Sequence, residues 1–158
     1  MSNKESSNLQ ESTVAKYLGW KVVSGSGARP FHVGDVVSED WLGECKTHNT
    51  SRNAITFNLN VLKKISDEAM SKHRFPVLIV DDGSQQVDNT WCCVSILPWV
   101  SVTSTLASSA VKINALSITI PYVKMLSLDR TEIYTVITSK GPLYIMSITK
   151  FKDLIEEG

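Results

Sequence analysis

Pro76-Val77-Leu78-Ile79-Val80 is an unbroken apolar run of strand length, and it constrains the fold more than any other stretch. A strand without polar alternation has both faces covered, as in the centre of a layered α/β sheet. The residues before it agree. From Leu59 to Ser71 apolar positions fall at Leu59, Leu62, Ile65, Ala69 and Met70, the spacing of a helix with one buried stripe. Asn58 is placed to cap its N-terminus, and Asp81-Asp82-Gly83 closes the strand that follows.

Upstream, residues 1–7 are small and polar, which predicts a frayed end. Leu9, Thr13, Val14, Tyr17 and Leu18 recur at helical spacing, with Gly19 as a stop. Lys21-Val22-Val23 reads as a short strand, and Ser24-Gly25-Ser26-Gly27-Ala28-Arg29-Pro30 as a turn. Phe31 to Ser38 reads as a strand interrupted at Gly34-Asp35. Ser38-Glu39-Asp40 is a hairpin turn, and Trp41 to Thr47 is the partner strand. Side chains alternate along a strand, so Leu42, Glu44 and Lys46 face one way, and Gly43 and Cys45 the other. Glu44 and Lys46 therefore enter the same space.

Residues 48–54 read as a polar loop. Beyond Ser84 the chain is Ser/Thr-rich, with strands expected over Trp91–Leu97, Leu116–Ile120, Ile133–Thr138 and Leu143–Ile148. Residues 101–109 read as a loop, residues 139–142 as a turn, and Thr149 as the cap of a helix over Lys150–Glu157. The expected organisation is a single domain over 1–158. It has a mixed α/β core over about 9–82, a β-rich extension or insertion over about 84–141, and a closing strand and helix over 142–158.

Composition narrows the class. With 16 basic and 16 acidic residues the formal net charge is zero, which argues against coating nucleic acid by charge alone. Through residue 75 there are ten Lys/Arg against eight Asp/Glu, a small positive surplus around the hairpin. Cys45, Cys92 and Cys93 form no Cys-x-x-Cys, so a reduced cytoplasmic protein without zinc is expected. No apolar run reaches membrane-spanning length, and the N-terminus has no secretory pattern.

Cleaving a phosphodiester requires an activated water and neutralisation of phosphate charge, both of which a divalent cation supplies. Mg²⁺ prefers one or two carboxylates plus waters. Asp35 and Glu44 on neighbouring strands offer the carboxylates, and the Cys45 main-chain carbonyl a further oxygen. Lys46 stands where it stabilises charge beside the attacking water. The competing reading is an exposed strand face with a surface ion pair. Arg29 and His32, before Asp35, are phosphate-binding candidates or simply loop residues. Ser24 and Ser26 lack a His/Asp relay, and their turn lacks the Lys-Ser/Thr ending of a phosphate loop. His48 and His73 lack metal-ligand spacing, and Trp20, Trp41, Trp91 and Trp99 are expected in the core or an interface.

The order Gly-Ser-Gly-Ala, Gly-Asp-Val, Glu-Cys-Lys, helix and buried strand resembles the PD-(D/E)xK nuclease superfamily. Within it the chain looks most like the Holliday-junction resolvases of archaea and phages. The likeness runs from about Glu11 to Val80. It implies a restriction-endonuclease-like fold and a Mg²⁺- or Mn²⁺-dependent endonuclease acting on four-way DNA junctions as a homodimer, encoded by a cell or a virus. By the same resemblance Asp35, Glu44 and Lys46 are catalytic and Glu11 completes the metal site. Ser24 and Ser26 lie on the turn that approaches the DNA backbone, and Lys63 or Lys64 contacts DNA. Two features depart from the pattern. Gly34 stands where the superfamily often has Pro, and the second helix lacks the Glu-Gln pair of archaeal members. Two other classes fit the same residues: a restriction- or repair-type nuclease on linear duplex, and a non-catalytic binding module.

Overall fold

A computed structural model describes residues 2–23, 34–48, 53–97, 104–106 and 111–157. Helix α1 spans Asn3–Leu18 and is followed by β1 (Lys21–Val22), β2 (Val36–Val37), β3 (Trp41–Lys46) and β4 (Ala54–Asn58). Helix α2 (Leu59–Ser71) leads into β5 (Phe75–Asp81), and a 3₁₀ turn over Val87–Asn89 into β6 (Thr90–Val94). Then come β7 (Ser104–Thr105), β8 (Lys112–Ile113), β9 (Ser117–Pro121), the short α3 (Tyr122–Met125), β10 (Tyr134–Thr138), β11 (Gly141–Ser147) and α4 (Ile148–Glu157).

Eight strands form a mixed central sheet in the order β1-β2-β3-β5-β6-β11-β10-β7. Strands β3 and β5 are parallel and joined through α2, while β2–β3, β5–β6 and β6–β11 are antiparallel. A second, antiparallel sheet has the order β4-β9-β8.

The apolar run of β5 behaves as its sequence predicts: Pro76 to Asp81 are all buried. Alternation assigns its side chains to two cores. Leu78 and Val80 pack with Leu42 of β3, with Leu62, Ile65 and Ala69 of α2, and with Ile118 and Ile120 of the second sheet. Val77 and Ile79 pack with Trp41 and Cys45, with Val14, Ala15 and Leu18 of α1, and with Phe151 and Leu154 of α4. The central sheet is therefore a filling between α1 and α4 on one face and α2 and the small sheet on the other.

Several expectations need correction. The N-terminus is not frayed from residue 2 onward. Ser2 caps α1, its hydroxyl accepting from the Glu5 N–H at 3.1 Å while Glu5 accepts from the Ser2 N–H at 3.2 Å. The buried stripe of α1 begins with polar Ser6 and Gln10, and Leu9 is exposed. Met70 is also outside the buried stripe of α2. The polar loop ends early, because Ala54 already belongs to β4. Ser147, not Thr149, caps α4 by accepting from the Lys150 N–H at 3.1 Å. Gly19 and Asn58 serve as the sequence predicts. Gly19 ends α1 with φ 73°, and the Asn58 side chain accepts from Asn60 and Val61 at 2.9 and 3.2 Å.

Candidate functional site

The site is built by the β2–β3 hairpin. Val36 pairs with Gly43 and Val37 with Leu42, and Asp35 stands immediately before this pairing, beside the segment of β3 that carries Glu44. Asp35 is tied on three sides. Its N–H donates to the Gly43 carbonyl at 2.8 Å, and its carbonyl accepts from Val23 at 2.9 Å. Its carboxylate, rather than a main-chain carbonyl, accepts the Cys45 N–H at 2.9 Å.

Two glycines make this geometry. Gly34 has φ 77°, and a Cβ there would lie 2.8 Å from Leu42 Cδ1 and 3.2 Å from the Gly43 carbonyl. Proline holds φ near −65°, so the Pro-Asp pattern of the resembled superfamily is incompatible with the backbone at this position. At Gly43 a Cβ would lie 2.8 Å from Val36 Cγ2, so its absence lets β2 seat closely on β3.

Both carboxylates are nearly enclosed, Asp35 at 7 % and Glu44 at 6 % exposure. Lys46, two residues along on the face of Glu44, holds its Nζ 3.3 Å from Glu44 Oε1 and remains half exposed. Glu44 and Lys46 thus share one face of β3, and the Asp35 carboxylate is drawn to the same strand by the Cys45 N–H. Glu11 comes from the α1 side. Cys45 feels the acids from both sides. Burial pushes its thiol well above the ordinary range, and the charges of Asp35, Glu11 and Glu44 push it further, with a small addition from Cys92. Three carboxylates therefore surround one strand, although among the described residues no three His, Cys, Asp or Glu side chains gather as a single ion cage. Lys63 and Lys64 lie on the exposed face of α2 rather than at this cluster, and Lys63 is 3.8 Å from Asp67. Ser24, Ser26, Arg29 and His32 fall outside the described residues.

Sequence reasoning missed the polar brace behind Lys46. The Gln10 amide donates to the Lys46 carbonyl at 2.7 Å, fixing α1 to the end of β3. Thr47 donates its hydroxyl to Asp81 Oδ1 at 2.5 Å, and the Gly83 N–H donates to the same oxygen at 2.9 Å. Asp81 is 1 % exposed, and its other oxygen has no hydrogen-bond partner. Burial raises its pKa, against the lowering effect of the Thr47 and Gly83 hydrogen bonds, with Asp82 adding a smaller rise. Gln85, at φ 57°, turns its amide onto Thr47 Oγ1, the His48 carbonyl and the Gly83 carbonyl at 2.7–2.9 Å. The signal in the sequence was Asp81-Asp82-Gly83 after an apolar strand, a place where open α/β sheets present functional groups at the carboxyl ends of parallel strands.

No protein-family model, curated protein or solved structure matches this chain. No helix among the described residues is long and apolar enough to cross a membrane.

Proposed function

We propose that this chain is a divalent-metal-dependent DNA endonuclease with a restriction-endonuclease-like core, and within that class a homodimeric resolvase of four-way junctions. One observation carries the reading: two buried carboxylates flank β3, Asp35 on the Cys45 N–H and Glu44 within the strand, with Lys46 3.3 Å from Glu44. Enclosing two like charges is unfavourable unless a cation balances them. The ammonium of Lys46, 3.3 Å from Glu44, is one such charge, and a bound divalent ion would be another.

The donor set fits Mg²⁺ or Mn²⁺, which takes one or two carboxylates and completes its shell with water and phosphate oxygen. Asp35 and Glu44 would hold the ion, with the Cys45 carbonyl beside them and Glu11 adding negative charge from α1. The bound ion supplies charge neutralisation and an acidified water. The chain's own residues do the rest. The Cys45 N–H orients the Asp35 carboxylate. Lys46 directs its ammonium from the strand end toward solvent, where a phosphate oxygen gaining charge is stabilised. The helix-borne Lys63 and Lys64, with Arg29 and His32, supply phosphate contacts that position the backbone. A junction cut symmetrically requires two such sites, hence a twofold dimer.

A second reading, a non-catalytic binding module, has one observation in its favour, the missing three-residue cage among the described residues. A synthetic four-way junction and its matching linear duplex, incubated with and without Mg²⁺, separate the readings. Paired nicks in the junction alone, lost on Lys46→Ala, are the expected result. Cutting of linear duplex at fixed sequences would replace the resolvase with a restriction- or repair-type enzyme. Intact DNA in every lane would leave the binding module.

A further inference from the structure

The pairing of β3 with β5 runs from Trp41 opposite Phe75 to Lys46 opposite Val80, so Lys46 is the last residue of the ladder. Backbone at the end of a ladder opens more easily than its middle. A long side chain carried there has its head placed only as well as its Cα. The Lys46 ammonium nevertheless stands 3.3 Å from Glu44 Oε1, on a side chain that is half exposed.

Three successive residues at this point are held by side chains from three other places in the chain. The Lys46 carbonyl accepts from the Gln10 amide of α1 at 2.7 Å. The Thr47 hydroxyl donates to Asp81 Oδ1, at the end of β5, and accepts from the Gln85 amide at 2.9 Å. The His48 carbonyl accepts from the same amide at 2.8 Å. Asp81 is fixed in turn by the Gly83 N–H, 2.9 Å from the same oxygen. Gln85 has a left-handed backbone, φ 57°, uncommon for a residue with a side chain.

This is a costly way to finish a sheet. Asp81 is 1 % exposed, and its Oδ2 has no hydrogen-bond partner among the described residues. An apolar pair would fill the same place without enclosing a carboxylate. What the hydrogen bonds add is one fixed arrangement of the chain. Left-handed backbone at a non-glycine residue clusters at functional sites for the same reason.

We propose that Thr47, Asp81 and Gln85 are positioning residues for Lys46: they fix the chain leaving β3, and through it the place of the ammonium relative to Glu44. They act through the backbone and not on the substrate. Their part in cleavage rests on the nuclease reading above. Such a supporting layer matters because a displacement of about 1 Å at a reacting group costs about a hundredfold in rate.

Three variants of the full chain test this. Thr47→Val removes the hydroxyl at nearly constant volume, and Thr47→Ser keeps it. Gln85→Gly removes the amide, and glycine accepts φ 57° without strain. The first readout needs neither metal nor DNA: the nuclear Overhauser contact between the Lys46 ε-protons and the Glu44 γ-protons. It should be present in the parent and in Thr47→Ser, and lost in Thr47→Val and Gln85→Gly. The second is cleavage of the four-way junction. There kcat should fall about 100-fold in Thr47→Val, with KM unchanged and Thr47→Ser close to the parent. A brace that served stability alone would lower the melting temperature and move neither readout in folded protein. If Thr47→Val does not fold, Gln85→Gly decides. A parent-like Overhauser contact or kcat in the folded variants would overturn the proposal and leave the nuclease reading standing, as would absence of the contact in the parent. If the parent cuts no DNA, the nuclease reading falls, and the Overhauser contact alone decides whether the brace positions Lys46.

Discussion

Thr47 and Asp81 lie side by side at the ends of two parallel strands, the hydroxyl of one donated to the carboxylate of the other at 2.5 Å. The contact joins the residue after Lys46 to a buried acid whose second oxygen is unpartnered. Because burial raises the pKa of Asp81, the folded protein holds this proton more tightly than the unfolded chain does. Stability from this group is then complete below the unfolded-state pKa and is lost as pH rises through the folded-state value. Asp81→Asn keeps the acceptor for Thr47 and Gly83 and removes the ionisation. It should melt higher than the parent at neutral pH, by roughly 1 kcal/mol, with the difference shrinking toward about pH 4. Thermal melts across that range check this, and a difference that grows on acidification would contradict it.

The acidic hairpin should respond to metal. Under the proposed function, Mg²⁺ bound at Asp35 and Glu44 should raise the melting temperature. The stabilisation is about 2.7 kcal/mol at a hundredfold excess over the dissociation constant. Glu44→Gln removes one of the two enclosed charges, so it should melt no lower than the parent without metal and lose most of the Mg²⁺-dependent increment. An undiminished increment in Glu44→Gln would place the ion elsewhere.

Lys46 is half exposed and contributes little packing. Removing the ammonium beside the enclosed Glu44, Lys46→Ala should lower the melting temperature modestly and, under the proposed function, reduce cleavage about 100- to 10,000-fold. Asp35→Ala differs, because it also strands the buried Cys45 N–H. It should cost about 1–3 kcal/mol of stability in addition to activity. Parallel denaturant titrations distinguish the two variants.

Restoring the superfamily's Pro at position 34 should damage this protein. The left-handed backbone there excludes proline, and even Ala meets Leu42 at 2.8 Å. Gly34→Ala is expected to cost roughly 1–2 kcal/mol, and Gly34→Pro more. A chemical-denaturation midpoint for Gly34→Pro equal to the parent's would show that the hairpin tolerates a different entry.

The three thiols should be silent in the native state. Cys45, Cys92 and Cys93 are buried and free, and burial pushes Cys93 up to about 12. Since the thiolate is the reactive form, a disulfide-exchange reagent should label all three only as the chain unfolds. Rapid labelling of native protein at neutral pH would be inconsistent with this packing.

Much of the site could be read locally. Alternation along Trp41–Lys46 gave the shared face of Glu44 and Lys46, and the apolar run of β5 gave the two-sided sheet. The errors have physical causes. Ser2-Asn3-Lys4-Glu5 carries a capping-box pattern that outweighs its polar composition, so α1 begins earlier than its apolar stripe. Residues 54–58 form β4 because they pair with residues 117–121. That partnership spans some sixty positions of chain and leaves no nearby signature. Asp81 gave no hint of burial, because its enclosure comes from the convergence of two strand ends rather than from its neighbours in sequence.

Where Asp35 falls along β3 is set by the count of residues around the turn at Ser38, Glu39 and Asp40. The Trp41 carbonyl accepts from Ser38, and the Asp40 carbonyl from Phe75, so this turn is fastened both to its own hairpin and to the start of β5. The chemistry assigned to the two acids is thus stored as a length. Glu39 and Asp40, both exposed, can be exchanged, whereas the Ser38 hydroxyl accepts the Trp41 N–H at 3.0 Å; one inserted residue would shift the acids relative to each other while every residue named in the site remained present.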